Sequence, residues 1–267
     1  MLKNIIKYFF KILNKFKVYF FYLANKQSRE FFFILINRKI NTLINKINPS
    51  KENKFNILRW CNKKRITENN FYRQLGIHKP RDFFIDKKSY YYSAKLKESK
   101  LKYKMGGMAH LNLIYNLMLH FKPKTILETG VAFGWSTLVF YLSKKINSSV
   151  ISVDLSYPTA SSDKFVALAL PSNIKKKINL LRGIDYNYLK SFNQNKKHFD
   201  FIHYDSDKSY EGRKKNYELI WNILKKKGCF ISDDISDNRA FYDFIKLKKI
   251  NFYIIKLSNK YVGIVFK

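Results

Sequence analysis

At 267 residues the chain is long for one average domain and short for two large ones, and it can bury a core without disulfide help. Its two cysteines, Cys61 and Cys229, exclude a disulfide framework and a zinc-type ligand cluster, as suits a reducing cytoplasm. A net charge of +33 points to polyanionic partners (nucleic acid, anionic lipid or acidic glycans), although AT-rich codons also favour lysine and asparagine.

The basic excess is uneven. Residues 1–104 carry 26 Lys and Arg against 6 Asp and Glu, whereas residues 105–267 carry 26 against 13. The first part therefore reads as a basic, mainly helical N-terminal region. At about 100° per residue, Leu2, Ile5, Ile6, Phe9, Leu13, Phe16 and Phe20 share one face, and Lys3, Lys7, Lys11 and Lys15 share the opposite one. The longest uncharged run there, Val18 to Asn25, is far short of the roughly 20 apolar residues of a span. A basic helix with an aromatic face over residues 1–23 suits an anionic membrane surface, which would make the protein peripheral to a membrane. The commoner use of such a face is packing on the domain or on a second subunit, as in a homodimer. A helical segment follows at 34–47, with turn signals at Asn48-Pro49-Ser50 and Lys79-Pro80-Arg81 and a Tyr/Lys-rich stretch over 90–103.

Met105-Gly106-Gly107 breaks this pattern and opens a second region, 105–267. Ala109–Phe121 is an apolar helix closed by Pro123. Strand and helix then alternate: Thr125–Thr129, a glycine turn and a helix to about Lys144; Ser149–Leu155; Ile178–Arg182 and a short helix near Tyr186–Phe192; Phe199–Tyr204 and a helix over Ser209–Lys226; Cys229–Asp233 and a helix over Ala240–Lys248. Phe252–Leu257 and Tyr261–Phe266 close the chain as a hairpin. The expectation is a Rossmann-like, doubly wound α/β fold, its seven-strand sheet mostly parallel with an antiparallel C-terminal hairpin.

Glu128-Thr129-Gly130-Val131-Ala132-Phe133-Gly134-Trp135-Ser136 lies where the first of these strands turns into its helix. Gly130 and Gly134 lack side chains, so backbone can approach a ligand, and Ser136 can cap the helix or bond the ligand. The pattern E-x-G-x-x-x-G-x-S resembles the S-adenosylmethionine (SAM)-binding first motif of class I methyltransferases and does not match the dinucleotide pattern G-x-G-x-x-G. Asp154 ends the next strand, where a carboxylate can accept from both ribose hydroxyls. Gly183-Ile184-Asp185 ends the third, where the family sets residues against adenine; Asp185 could equally cap the helix that follows. The resemblance thus implies SAM as cofactor, held by Glu128, Gly130, Gly134, Ser136, Asp154, Asp185 and Asp205.

The richest stretch is Phe199-Asp200-Phe201-Ile202-His203-Tyr204-Asp205-Ser206-Asp207-Lys208-Ser209-Tyr210. Asp205 reaches the carboxyl edge of the sheet, and Ser232-Asp233-Asp234 reaches the same edge one strand later. Three converging carboxylates repel unless a cation joins them, and oxygen ligation suits Mg²⁺ or another divalent cation. Asp-Ser-Asp-Lys-Ser-Tyr is similar to the Asp-x-Asp-Lys-x-x-Tyr region of caffeoyl-coenzyme A and catechol-type O-methyltransferases, with the tyrosine one place early. Ser-Tyr-Glu-Gly also resembles a bacterial methyltransferase group that reads Asp-Gly-Asp-His-Ser-Tyr-Glu. The first resemblance implies a metal on Asp205, Asp233 and Asp234, with Lys208 as the base, for which its pKa must be depressed. His203, mid-strand, reads as a packed core histidine, with a reserve role as base.

The expected activity is metal-assisted transfer of a methyl group from SAM to a hydroxyl of a small molecule or glycan. Two alternatives stand beside it: an RNA-modifying methyltransferase that uses the basic region, and a non-catalytic SAM-fold protein on an anionic membrane. Against the RNA reading, the sequence has no Asn/Asp-Pro-Pro-Tyr motif and no catalytic cysteine pair.

Overall fold

The computed structural model describes residues 54–101, 105–108, 110–145, 147–155 and 164–267, with isolated helical positions between 20 and 36. Apart from those positions, the helix expected over residues 1–23, the segment 34–47 and the turn at 48–50 lie outside the described residues.

Short apolar runs form the strands, because residues buried on both faces of a parallel sheet need no polar alternation. In chain order the elements are α1 (Lys54–Lys64), β1 (Arg65–Ile66), α2 (Glu68–Gln74), α3 (Phe83–Asp86), α4 (Lys88–Ser99), α5 (Leu111–Phe121), β2 (Thr125–Thr129), α6 (Trp135–Ser143) and β3 (Ser149–Asp154). Then come α7 (Ser172–Lys175), β4 (Asn179–Arg182), α8 (Asp185–Gln194), β5 (Phe199–Tyr204), α9 (Tyr210–Ile223), β6 (Leu224–Ser232), a 3-10 turn (Ile235–Asp237), α10 (Ala240–Lys248), β7 (Phe252–Leu257) and β8 (Lys260–Phe266). They build one sheet in the order β1-β7-β8-β6-β5-β2-β3-β4. Every pairing is parallel except those of β8 with β6 and β7. Both the doubly wound sheet and the antiparallel C-terminal hairpin expected from the sequence are present.

Alternate strand residues feed two cores, one per face. Ile126, Val150, Phe201 and Ile231 point to a layer built with α2, α3, α5 and α6. Leu127, Ile151, Ile202 and Phe230 point to the other, built with α1, α8, α9 and α10. Each fully buried Phe, Leu or Ile side chain stabilises by about 1.5–3 kcal/mol relative to exposure. Phe71, Phe83 and Ala94 lie in the first core, and Ile57 and Cys61 in the second, so residues 54–101 pack on the same sheet as residues 105–267.

The sheet has eight strands rather than seven. The extra strand, β1, adds Arg65 and Ile66 beside Ile254 and Ile255 of β7. Two residues carry no period, so their sequence could not announce a strand. β6 also starts at Leu224, five residues earlier than expected, and an irregularity between Phe199 and Phe201 absorbs the offset as its register passes from Leu224 to Cys229. Among the described residues no helix is long and apolar enough to cross a membrane.

Candidate active site

The carboxyl ends of β2, β3, β4 and β5 open onto a cavity of about 280 Å³ lined by Gly130, Gly134, Ser136, Asp154, Asp185, Asp205, Lys208 and Asp233, together with Gly106, His110 and Lys260. Parallel sheets collect ligands at this edge, where the strand order reverses. Here the order reverses about β2, whose neighbours are β3 and β5.

Gly130 and Gly134 are needed for a reason that differs in detail from the expectation. Gly130 has φ +86°, and a Cβ there would sit 2.2 Å from the Asp205 carbonyl oxygen. Gly134 has φ +96°, and its Cβ would sit 2.8 Å from Ala167 Cα. The glycines therefore let the chain's own segments, around Asp205 and Ala167, close over the turn and form the cavity wall. The N-terminal part braces this wall: Lys97 donates to the carbonyls of Leu168 (3.1 Å) and Leu170 (2.8 Å), and the Trp135 indole donates to Glu98 at 2.9 Å.

Glu128 does not line the cavity. Its carboxyl is fully buried and accepts from the hydroxyls of Ser136, Thr137 (2.7 Å) and Ser152 (2.8 Å). Burial pushes its pKa up. Glu128 thus fastens α6 and β3 to the end of β2, and Ser136, although at the cavity, spends its hydroxyl on Glu128.

Asp154 lines the cavity with one carboxyl oxygen 2.9 Å from the Ala132 N–H and the other 2.8 Å from the Leu155 N–H. Burial, only partly offset by Arg182 at 3.4 Å, pushes its pKa up to about 6. Asp185 is the first residue of α8, and the residue that caps this helix is Ile184. The Asp185 carboxyl accepts from Ser206 (2.5 Å) and Asn216 (2.9 Å), and burial raises its pKa.

At the acidic end the three carboxylates named as metal ligands do not converge on one point. Asp205 pairs with Lys208 at 3.0 Å, and Lys208 also bonds Asp234, which holds Lys260 at 3.1 Å. Asp233 faces inward to His203 at 3.4 Å. Among the described residues no group of three His, Cys, Asp or Glu side chains stands ready for a metal ion. As arranged, the donor set does not fit the expected divalent cation.

The charges follow from these pairings. Burial and the neighbouring Asp233 push Asp205 up to about 6. Burial opposes ionisation of Asp233 and Asp234, yet His203 holds the former, and Lys208 and Lys260 the latter, below the usual carboxylate range. Burial would lower the pKa of Lys208, but Asp205 and Asp234 outweigh it and hold the amine above its ordinary value. A base needs the opposite shift, so Lys208 here is a fixed ammonium. His203 is fully buried, as expected of a core histidine. Burial works to lower its pKa, but Asp233 overrides that and raises it.

Three functional candidates escape sequence reasoning. His110 caps α5, and its buried Nε2 has no hydrogen-bond partner among the described residues; burial lowers its pKa. Lys260 enters from the start of β8. Arg213, fully buried, donates to the carbonyls of Asp234 (2.9 Å) and Asp233 (3.0 Å) and so fixes the end of β6.

Residues 127–235 match the family model described as a methyltransferase domain. Over those residues the chain is similar to that family. The match takes in the glycine turn, Asp154, Asp185, Asp205, Lys208 and the Asp233-Asp234 pair. Solved structures share this fold at low identity. An O-methyltransferase from Bacillus cereus in complex with S-adenosylhomocysteine (SAH) is 14% identical, with TM-score 0.50 over 74% of this chain and 96% of that one. A candidate caffeoyl-CoA O-methyltransferase from Staphylococcus aureus is 16% identical, with TM-score 0.52 over 74% and 99%. An SAH-bound methyltransferase from Podospora anserina is 18% identical, with TM-score 0.51 over 67% and 87%. At these identities the likeness is one of fold. No curated protein sequence matches the chain.

Proposed function

We propose that the protein is a SAM-dependent O-methyltransferase whose acceptor is a small hydroxylated molecule or a glycan. One observation carries the reading: Gly130, Asp154, Asp185 and Asp205, from four successive strand ends, line a single cavity of the methyltransferase domain. Asp154 would accept from the ribose hydroxyls, and Ile184 and Asp185 would flank the adenine. When bound, SAM supplies an electrophilic methyl group on its sulfonium.

The chain's own tasks are to align the acceptor and to receive its proton. The Lys208 ammonium, fixed between Asp205 and Asp234, offers positive charge to an oxygen that is losing its proton. His110 suits the role of proton acceptor, since its Nε2 is free among the described residues and burial favours the neutral imidazole. The solved neighbours named as O-methyltransferases support oxygen as the acceptor atom.

The test is incubation of the full chain with methyl-labelled SAM and a panel of phenols, hydroxy acids and sugars, read by mass spectrometry. The expected result is SAH together with an acceptor that gains one methyl on oxygen. Methylation confined to nitrogen or carbon would overturn the choice of atom, and failure to bind SAM would overturn the reading as a whole.

A further inference from the structure

We propose that the acidic end of the cavity carries its own cation, with the Lys208 ammonium standing where a divalent ion would otherwise join Asp205 and Asp234. The inference rests on the reading of the cavity as the SAM and acceptor site.

Carboxylates gathered at adjacent strand ends require positive charge between them. Two ammonium groups supply it at Asp205 and Asp234, and a buried histidine faces Asp233. Lys208 bridges Asp205 at 3.0 Å and Asp234, Lys260 stands 3.1 Å from Asp234, and His203 stands 3.4 Å from Asp233. A hard divalent cation needs about six oxygens or more aimed at one point. Here Asp233, which borders the cavity, is buried with an oxygen 3.4 Å from His203, and the Asp234 oxygens are taken by two ammonium groups. A metal ion could enter only by expelling both, against their repulsion.

The backbone keeps this arrangement. Asp234 adopts a left-handed conformation (φ +53°), and Arg213 holds the carbonyls of Asp233 and Asp234 from behind. Lys208 follows Asp205 by three residues and precedes α9, so the same loop delivers the carboxylate and its counter-ion. The Lys208 side chain remains partly exposed at the cavity, where an acceptor oxygen can reach it. The consequence is an acceptor site complete without a divalent ion, in which the charge meeting the acceptor oxygen is an ammonium.

The test needs no known acceptor. Mn²⁺ is titrated into the full chain, with and without SAM, and the free ion is followed by electron paramagnetic resonance; SAM binding is measured by calorimetry in chelator and in Mg²⁺. Wild type should leave the Mn²⁺ signal unchanged and should give the same SAM isotherm in both media. Lys208→Ala, and in parallel Lys208→Gln, should bind Mn²⁺ at least about tenfold more tightly, because Asp205 and Asp234 lose their shared counter-ion. Circular dichroism establishes that each variant is folded. Stoichiometric Mn²⁺ binding by wild type, or folded variants that gain no Mn²⁺ affinity, would overturn the inference. Absence of SAM binding in every medium would instead sink the proposed function.

Discussion

Replacing Asp154 by asparagine keeps the shape of the side chain and removes one of its two acceptor oxygens. In the wild type both oxygens are occupied on one side by backbone N–H groups, from Ala132 and Leu155. An asparagine can satisfy only one of these donors, and its NH2 faces either the other N–H or an incoming ribose hydroxyl. A hydrogen bond to a charged group contributes about 1.5–3 kcal/mol, so losing one should weaken SAM binding by about 2 kcal/mol, or about 30-fold. The effect should depend on pH. Burial lifts the Asp154 pKa to about 6, and hydroxyl donors favour the ionised carboxylate. Wild-type affinity should therefore fall as pH drops through about 6, whereas the asparagine variant should lack that step. Calorimetric titration with SAM across this range is the assay. Equal affinity of the two proteins at neutral pH, with the same pH profile, would refute the reasoning.

Other substitutions probe the frame around the cavity. Gly130→Ala demands an L residue at φ +86° with its Cβ 2.2 Å from the Asp205 carbonyl oxygen. The left-handed backbone alone costs about 1–2 kcal/mol, so the melting temperature should fall by several degrees and SAM binding should drop with it. Arg213→Leu removes two charge-assisted hydrogen bonds to the end of β6, and chemical denaturation should read about 3 kcal/mol of lost stability. Glu128→Gln should be tolerated far better than Glu128→Ala, because three hydroxyls need an acceptor there. Since burial raises the pKa of Glu128 in the folded state, the stability its protonation contributes is complete below the ordinary value of 4.5 and is lost as pH rises through the folded value. The melting temperature of the Gln variant should lack that decline.

Much of the fold was legible because buried parallel strands write themselves as apolar runs. Thr125–Thr129 and Phe199–Tyr204 appear with the bounds read from the sequence, and so does β7. β1 was not legible, since its two residues become a strand only by pairing with β7, nearly 190 positions away. At the site, spacing was enough to bring Gly130, Asp154, Asp185, Asp205 and Lys208 to one cavity. It could not say which way Glu128 and Asp233 turn, because that depends on buried partners such as Ser152 and His203. Lys260 was invisible for another reason. Among 52 basic residues, nothing local distinguishes a lysine that will meet Asp234 across the sheet. His110 likewise gains its meaning from the cavity it faces rather than from the helix it caps.

The most direct trial of the account is a crystal structure of the full chain with SAH. The account predicts the nucleoside within the cavity at the ends of β2 to β5, its ribose oxygens within hydrogen-bond distance of the Asp154 carboxylate and its adenine beside Ile184 and Asp185. A complex with SAH bound elsewhere, or with Asp154 turned from the ribose, would contradict it.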